Sequence, residues 1–189
     1  LADFVAECPE RRAGIGQIFV NDLDDAIEDA TWIKEHGLRG GVLMPNFAPD
    51  VTWLKPYFDR SYDKLWAALQ DLGVPINFHG GTGTPMYGDM FGLGQLIQLS
   101  EVTFYSQRPI VHLLLGGVFE RFPRLKAVIT ELGCYWVPRL LEQLDATVRS
   151  LQAHATGELR FKEGTVTPLL PSEYFNRNVW VGASQPRIG

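Results

Sequence analysis

Short, β-rich apolar runs alternate with longer amphipathic segments along most of this chain, and that rhythm restricts the fold more than any other feature. Ile15 to Val20 reads as a strand. Asp22 to Glu35 reads as a helix capped by Asn21, with acidic residues in its first turn. Leu38 to Met44 reads as a second strand, reached through Gly37, and Pro45 to Pro56 as a loop. Tyr62 to Leu72 follows as a helix with Leu65, Trp66 and Leu69 on one face, and Gly73 ends it. Val74 to Phe78 is the third strand, and a glycine-rich loop runs from it to Gly92. Leu93 to Tyr105 and Ile110 to Phe122 read as helices separated by Pro109. Leu125 to Thr130 is the fourth strand and Trp136 to about Gln152 a helix. His154 to Pro171 is a polar loop, and Val179 to Ala183 is the fifth strand.

Strict strand–helix alternation implies a parallel sheet joined by right-handed crossovers. Five strands satisfy either a complete, open doubly wound sheet or five-eighths of a (β/α)8 TIM barrel, which typically runs to about 250 residues. The chain has 189 residues, opens at Leu1 rather than Met, and stops at Gly189 directly after an apparent strand. The expectation is therefore an incomplete barrel: one α/β domain over 1–189, truncated at both ends.

Composition narrows the function classes. The chain is 46% hydrophobic and 21% charged, ordinary globular values, and its net charge of -5 leaves no basic footprint for nucleic acid. Cys8 and Cys134 have no metal-type spacing, so a reducing, cytoplasmic setting is expected. The apolar run Ile110 to Phe119 is short and broken by His112 and two glycines, so no membrane association is expected.

Chemistry concentrates where strands end. His79 closes Val74-Pro75-Ile76-Asn77-Phe78-His79 and is followed by Gly80-Gly81-Thr82-Gly83-Thr84. In parallel α/β folds, ligands gather at the carboxyl ends of strands. Alternation puts Asn77 and His79 on the side of the site, and Ile76 and Phe78 against the helices. The imidazole is either a metal ligand or bonded to a loop carbonyl. Gly80, Gly81 and Gly83 let a substrate approach the backbone. A phosphate cradle is the weaker reading, because Pro85 and Met86 follow and no Lys stands in register.

Glu131 ends the next strand in the same kind of position. It can act on a metal or its water, orient substrate, serve as acid or base, or simply pair with an arginine such as Arg139. Cys134 reads as a packing residue. His112 reads as a satisfied helix residue, His36 as a helix-end residue, and His154 has no sharp reading. Arg121-Phe122-Pro123-Arg124-Leu125-Lys126 reads as a solvated basic turn.

Several segments together resemble the amidohydrolase-related family, in the branch of the metal-dependent hydrolase superfamily that holds aminocarboxymuconate-semialdehyde decarboxylase-like enzymes. They are Leu72 to Gly81, Gly116 to Lys126, Glu131 to Pro138, and Pro171 to Phe175 with Asn178 to Val181. The resemblance implies a (β/α)8 barrel holding a divalent metal, zinc foremost, with the strands seen here as its third through seventh. It implies His79 as a metal ligand. From their positions at the strand ends, Glu131 is expected as a catalytic group and Asn77, Gly80 and Gly81 as substrate-binding positions. The family's first-strand His-x-His pair and eighth-strand Asp have no counterpart in this chain. Glu131 stands where many members carry a histidine.

The implied activity is metal-dependent hydrolysis of an amide, ester or lactone. Non-oxidative decarboxylation of aromatic or muconate-type acids is the alternative, and a non-catalytic ligand-binding α/β domain is the reading from another class. The expected partners are a small-molecule substrate and, in the full-length protein, a second copy in a homodimer. The chain alone, with an incomplete ligand set, is expected to be inactive.

Overall fold

Five parallel strands form one sheet in the order β1-β2-β3-β4-β5, the same order in which they occur in the chain. They are β1 (Ile15–Gln17), β2 (Gly41–Leu43), β3 (Ile76–His79), β4 (Ala127–Thr130) and β5 (Val179–Val181). The computed structural model describes residues 1–153, 161–162 and 164–182. His154 and Ala183 lie outside the described residues.

Sequential order decides between the two topologies. A doubly wound sheet reverses its strand order at a switch point. Here each crossover steps to the next neighbour in the same direction, and right-handed crossovers then place every helix on one face. That is the winding of a barrel, and among the described residues the sheet is open, with β1 and β5 at its edges.

Register separates the faces. Gly16, Val42, Ile76, Ala127 and Val179 form one row across the sheet, and all are buried under the helices. The next row, Gln17, Leu43, Asn77, Val128 and Trp180, points the other way, into what is the lumen of a closed barrel. His79 and Thr130 pair two residues further along on this same inner face. Ile76 and Phe78 are fully buried on the helix side, as strand alternation requires.

Two buried asparagines tie neighbouring strands together. Asn77 Nδ2 donates to the carbonyls of Gly40 (2.8 Å) and Val42 (3.1 Å) beside β2. Asn178 Nδ2 donates to those of Pro123 (3.0 Å) and Leu125 (2.7 Å) ahead of β4.

The helices are α1 (Ala2–Ala6), α2 (Leu23–Glu35), α3 (Asp63–Leu72), α4 (Leu93–Ser106), α5 (Arg108–Leu115), α6 (Val118–Arg121), α7 (Val137–Ala153) and α8 (Pro171–Asn178). Four departures from the sequence reading have local causes. Asp22, not Asn21, caps α2, and its carboxylate accepts from the amides of Asp24 and Asp25. Pro109 does not separate helices but sits in the first turn of α5, where its missing N–H costs nothing. The helix expected over 110–122 breaks at Gly116-Gly117, with Gly117 at φ +64°. A further helix, α8, follows the polar stretch, and Glu173 accepts from the Leu170 amide at its start (2.8 Å).

The basic turn is also not simply solvated. Arg121 makes a two-pronged contact with Asp63 of α3 (2.8 to 3.2 Å) and donates to the Gly116 carbonyl at 2.7 Å. Arg124, paired with exposed Asp71, and exposed Lys126 behave as surface charges.

Candidate metal centre at the strand ends

The carboxyl ends of β3 and β4 bring His79 and Glu131 together. His79 Nε2 lies 3.3 Å from Glu131 Oε2, with side chains 40% and 63% exposed on the open side of the sheet. Arg139 is not the partner of Glu131; it pairs with Glu142 one turn along α7.

Local backbone holds this pair. Gly80 donates its amide to Thr130 O (2.9 Å), extending the β3–β4 ladder by one bond. A Cβ on Gly80 would stand 2.6 Å from Glu131 O, so the two strand ends meet only because residue 80 has no side chain. Glu131 itself adopts φ +57°, a left-handed conformation that costs a non-glycine residue about 1–2 kcal/mol. Strain of that kind persists only where the surrounding structure holds it, and here it falls on the residue that faces His79. Gly81 also has positive φ (+89°), and a Cβ there would face open space.

Hydrogen bonding fixes the imidazole. His79 Nδ1 is 2.7 Å from Gly80 O. A carbonyl can only accept, so Nδ1 carries the hydrogen and Nε2 of the neutral ring presents a lone pair. That lone pair faces a carboxylate oxygen, which is also an acceptor. Two acceptors at this separation need an electropositive species between them, either a proton or a metal cation. An imidazole that gives its far N–H to a carbonyl while its near nitrogen is free is the usual arrangement of a metal-ligating histidine. The donor set therefore fits a divalent metal as two of its ligands. Among the described residues, no three His, Cys, Asp or Glu side chains cluster to complete one.

The remaining expected site residues divide. Asn77 lies on the inner face, but it is buried and its amide hydrogens go to the two carbonyls beside β2. Gly80 serves the contact between strand ends, and Gly81 borders the open mouth. Cys134 is exposed and unpaired. His36 caps α2, bonded through Nδ1 to Trp32 O (2.8 Å) and stacked on the Trp32 ring.

Sequence reasoning missed Asn46 and Thr82. Asn46 Nδ2 (3.3 Å) and Thr82 Oγ1 (3.0 Å) both donate to the His79 carbonyl, anchoring the backbone at His79. Asn46 stands past Met44 and Pro45 in the loop after β2, so no strand-end position singled it out.

Residues 1–181 match the family described as Amidohydrolase. The chain belongs to the amidohydrolase family. Solved structures agree with this. An amidohydrolase from Mycobacterium avium subsp. paratuberculosis K-10 superposes with a TM-score of 0.70 at 26% identity, over 88% of this chain and 41% of its own. 5-Carboxyvanillate decarboxylase LigW from Sphingomonas paucimobilis gives 0.70 at 23% identity, over 95% and 50%. A dihydroxybenzoic acid decarboxylase from Polaromonas sp. JS666, solved with manganese and the inhibitor 2-nitroresorcinol, gives 0.69 at 19% identity, over 96% and 53%. The chain thus spans about half the length of these TIM-barrel relatives. Among the described residues, no helix is long and apolar enough to cross a membrane.

Proposed function

We propose that this chain is the central part of a metal-dependent amidohydrolase-type enzyme, with His79 and Glu131 as two ligands of a divalent cation. The observation that carries this reading is the approach of His79 Nε2 to Glu131 Oε2 at 3.3 Å, at the ends of adjacent strands. Bound there, the cation would polarise a carbonyl or carboxylate oxygen and lower the pKa of a coordinated water. An imidazole and a carboxylate suit zinc and manganese alike.

The chain's own groups have distinct tasks. His79 presents Nε2 in a fixed orientation because Gly80 O holds its other nitrogen. Glu131 supplies negative charge and, when not ligating, a proton acceptor at the strand end. Gly81 leaves room for a substrate to lie against the backbone. Hydrolysis of an amide, ester or lactone is the first reading. Decarboxylation of an aromatic or muconate-type acid is the second, supported by the superposition on LigW and on the dihydroxybenzoic acid decarboxylase.

Metal analysis of the full-length protein tests the site. His79→Ala is expected to lower bound metal at least about tenfold; undiminished metal content overturns the assignment. Carbon dioxide release from aromatic acids, set against cleavage of lactones and amides, separates the two reactions.

A further inference from the structure

A cavity lies behind the strand ends, on the helix side of the sheet. Its volume is about 310 Å³, at the low end of small-molecule sites. The loop after β2 and the start of α5 enclose it. Its apolar wall includes Phe47, Leu54 and Pro109; its polar wall is Asn46, Arg108 and His112. Tyr57, which also lines it, stacks edge-on against Phe78. Neither His79 nor Glu131 lines it.

One group lining this cavity lacks the partner it needs. Arg108 pairs with no carboxylate among the described residues and makes only a long contact, 3.4 Å, to the Phe47 carbonyl. A half-buried guanidinium with so weak a contact has unspent capacity for an anion.

We propose that this cavity binds a small organic monocarboxylate with a compact apolar body. The carboxylate meets Arg108, and the body lies along Phe47 and Leu54. A phosphate ester fits less well. Burial, with help from the Arg108 charge, pushes the His112 imidazole down to about 4. At neutral pH it adds no second cation, and one guanidinium among apolar walls cannot offset the desolvation of a dianion. The proposal is independent of the metal centre.

Calorimetric titration of the full-length protein with 4-hydroxyphenylacetate tests it, with uncharged 4-hydroxyphenylacetamide as control. The acid is expected to bind at least about tenfold more tightly than the amide, and Arg108→Gln to remove that preference. Val51→Trp, which fills the cavity from a lining position, is expected to block both compounds. His79→Ala leaves both affinities unchanged, which separates this site from the metal centre. By NMR, the His112 titration moves upward when the acid is bound, because the carboxylate offsets the neighbouring Arg108 charge. No binding of the acid, equal affinity for acid and amide, full affinity in Arg108→Gln and Val51→Trp, or loss of binding in His79→Ala would overturn the proposal.

Discussion

The two faces of the sheet are built from the same five strands, yet they differ sharply in burial. On the helix side, Ile18, Val42, Ile76, Phe78, Ala127 and Ile129 are completely covered. On the inner side, Ile15 (39%), Phe19 (59%) and Trp180 (49%) remain exposed although they are just as apolar. Hydrophobicity alone does not decide which residues are covered. Winding does: sequential right-handed crossovers stack every helix on one face and leave the other to whatever closes the barrel. The polar groups respect the same division. His79 and Glu131 sit at the rim of the uncovered side, whereas Asn46, Arg108 and His112 line a cavity on the covered side.

Substitutions can break or sharpen this contrast. The largest effect belongs to a matched pair of truncations. Phe78→Ala, on the covered face, is expected to cost about 3–5 kcal/mol in urea unfolding. Phe19→Ala, on the uncovered face, should change stability by no more than about 0.5 kcal/mol. Comparable losses would mean that the inner face is packed in solution.

At the rim, Gly80→Ala should cost about 1–3 kcal/mol, because its Cβ would meet Glu131 O at 2.6 Å. It should also reduce metal content in the full-length protein by pushing the two strand ends apart. A variant with unchanged stability would show that the strand ends separate freely.

A smaller effect comes from His112 on the covered side, which is partly exposed and so partly screened. Its folded pKa of about 4 lies below the ordinary value of 6.5. Between these values the unfolded chain holds more protons, so the contribution is full above about 6.5 and is lost as pH falls toward 4. His112→Phe should flatten the pH dependence of stability in that window, as read by thermal melts from pH 4 to 7. A profile as steep as the parent's would place the acid sensitivity elsewhere.

The smallest effect expected is a gain. Glu131→Gly relieves the left-handed strain at φ +57°, partly offset by the greater freedom of glycine in the unfolded chain, and should stabilise the fold by up to about 1 kcal/mol. A loss of stability instead would make the carboxylate a structural group rather than one held for chemistry.

Much of this arrangement was legible in the sequence because period-two alternation and strand-end position are local signals. The facing of Asn77, His79, Ile76 and Phe78, and the common location of His79 and Glu131, follow from residues read in place. Tertiary partners were not legible. Arg121 looked like a surface charge because its partner, Asp63, is 58 positions away in the chain. The Asn77 amide looked available for substrate because the carbonyls it serves, those of Gly40 and Val42, belong to another strand. The breaks at Gly116-Gly117 and the start of α8 depended on cap geometry, where competing local signals differ by a residue or two.

Asn77 and Asn178 bear on how this architecture can change. Adjacent parallel strands are joined by long crossovers, so no tight turn dictates which residue lies opposite which. A one-residue slip would turn every side chain to the wrong face. Each asparagine binds two carbonyls at a neighbouring strand's start and acts as an index mark for alignment. With alignment set inside the sheet, the crossovers are free to grow, and the excursion between β3 and β4, which carries α4, α5 and α6, can absorb insertions without moving His79 relative to Glu131.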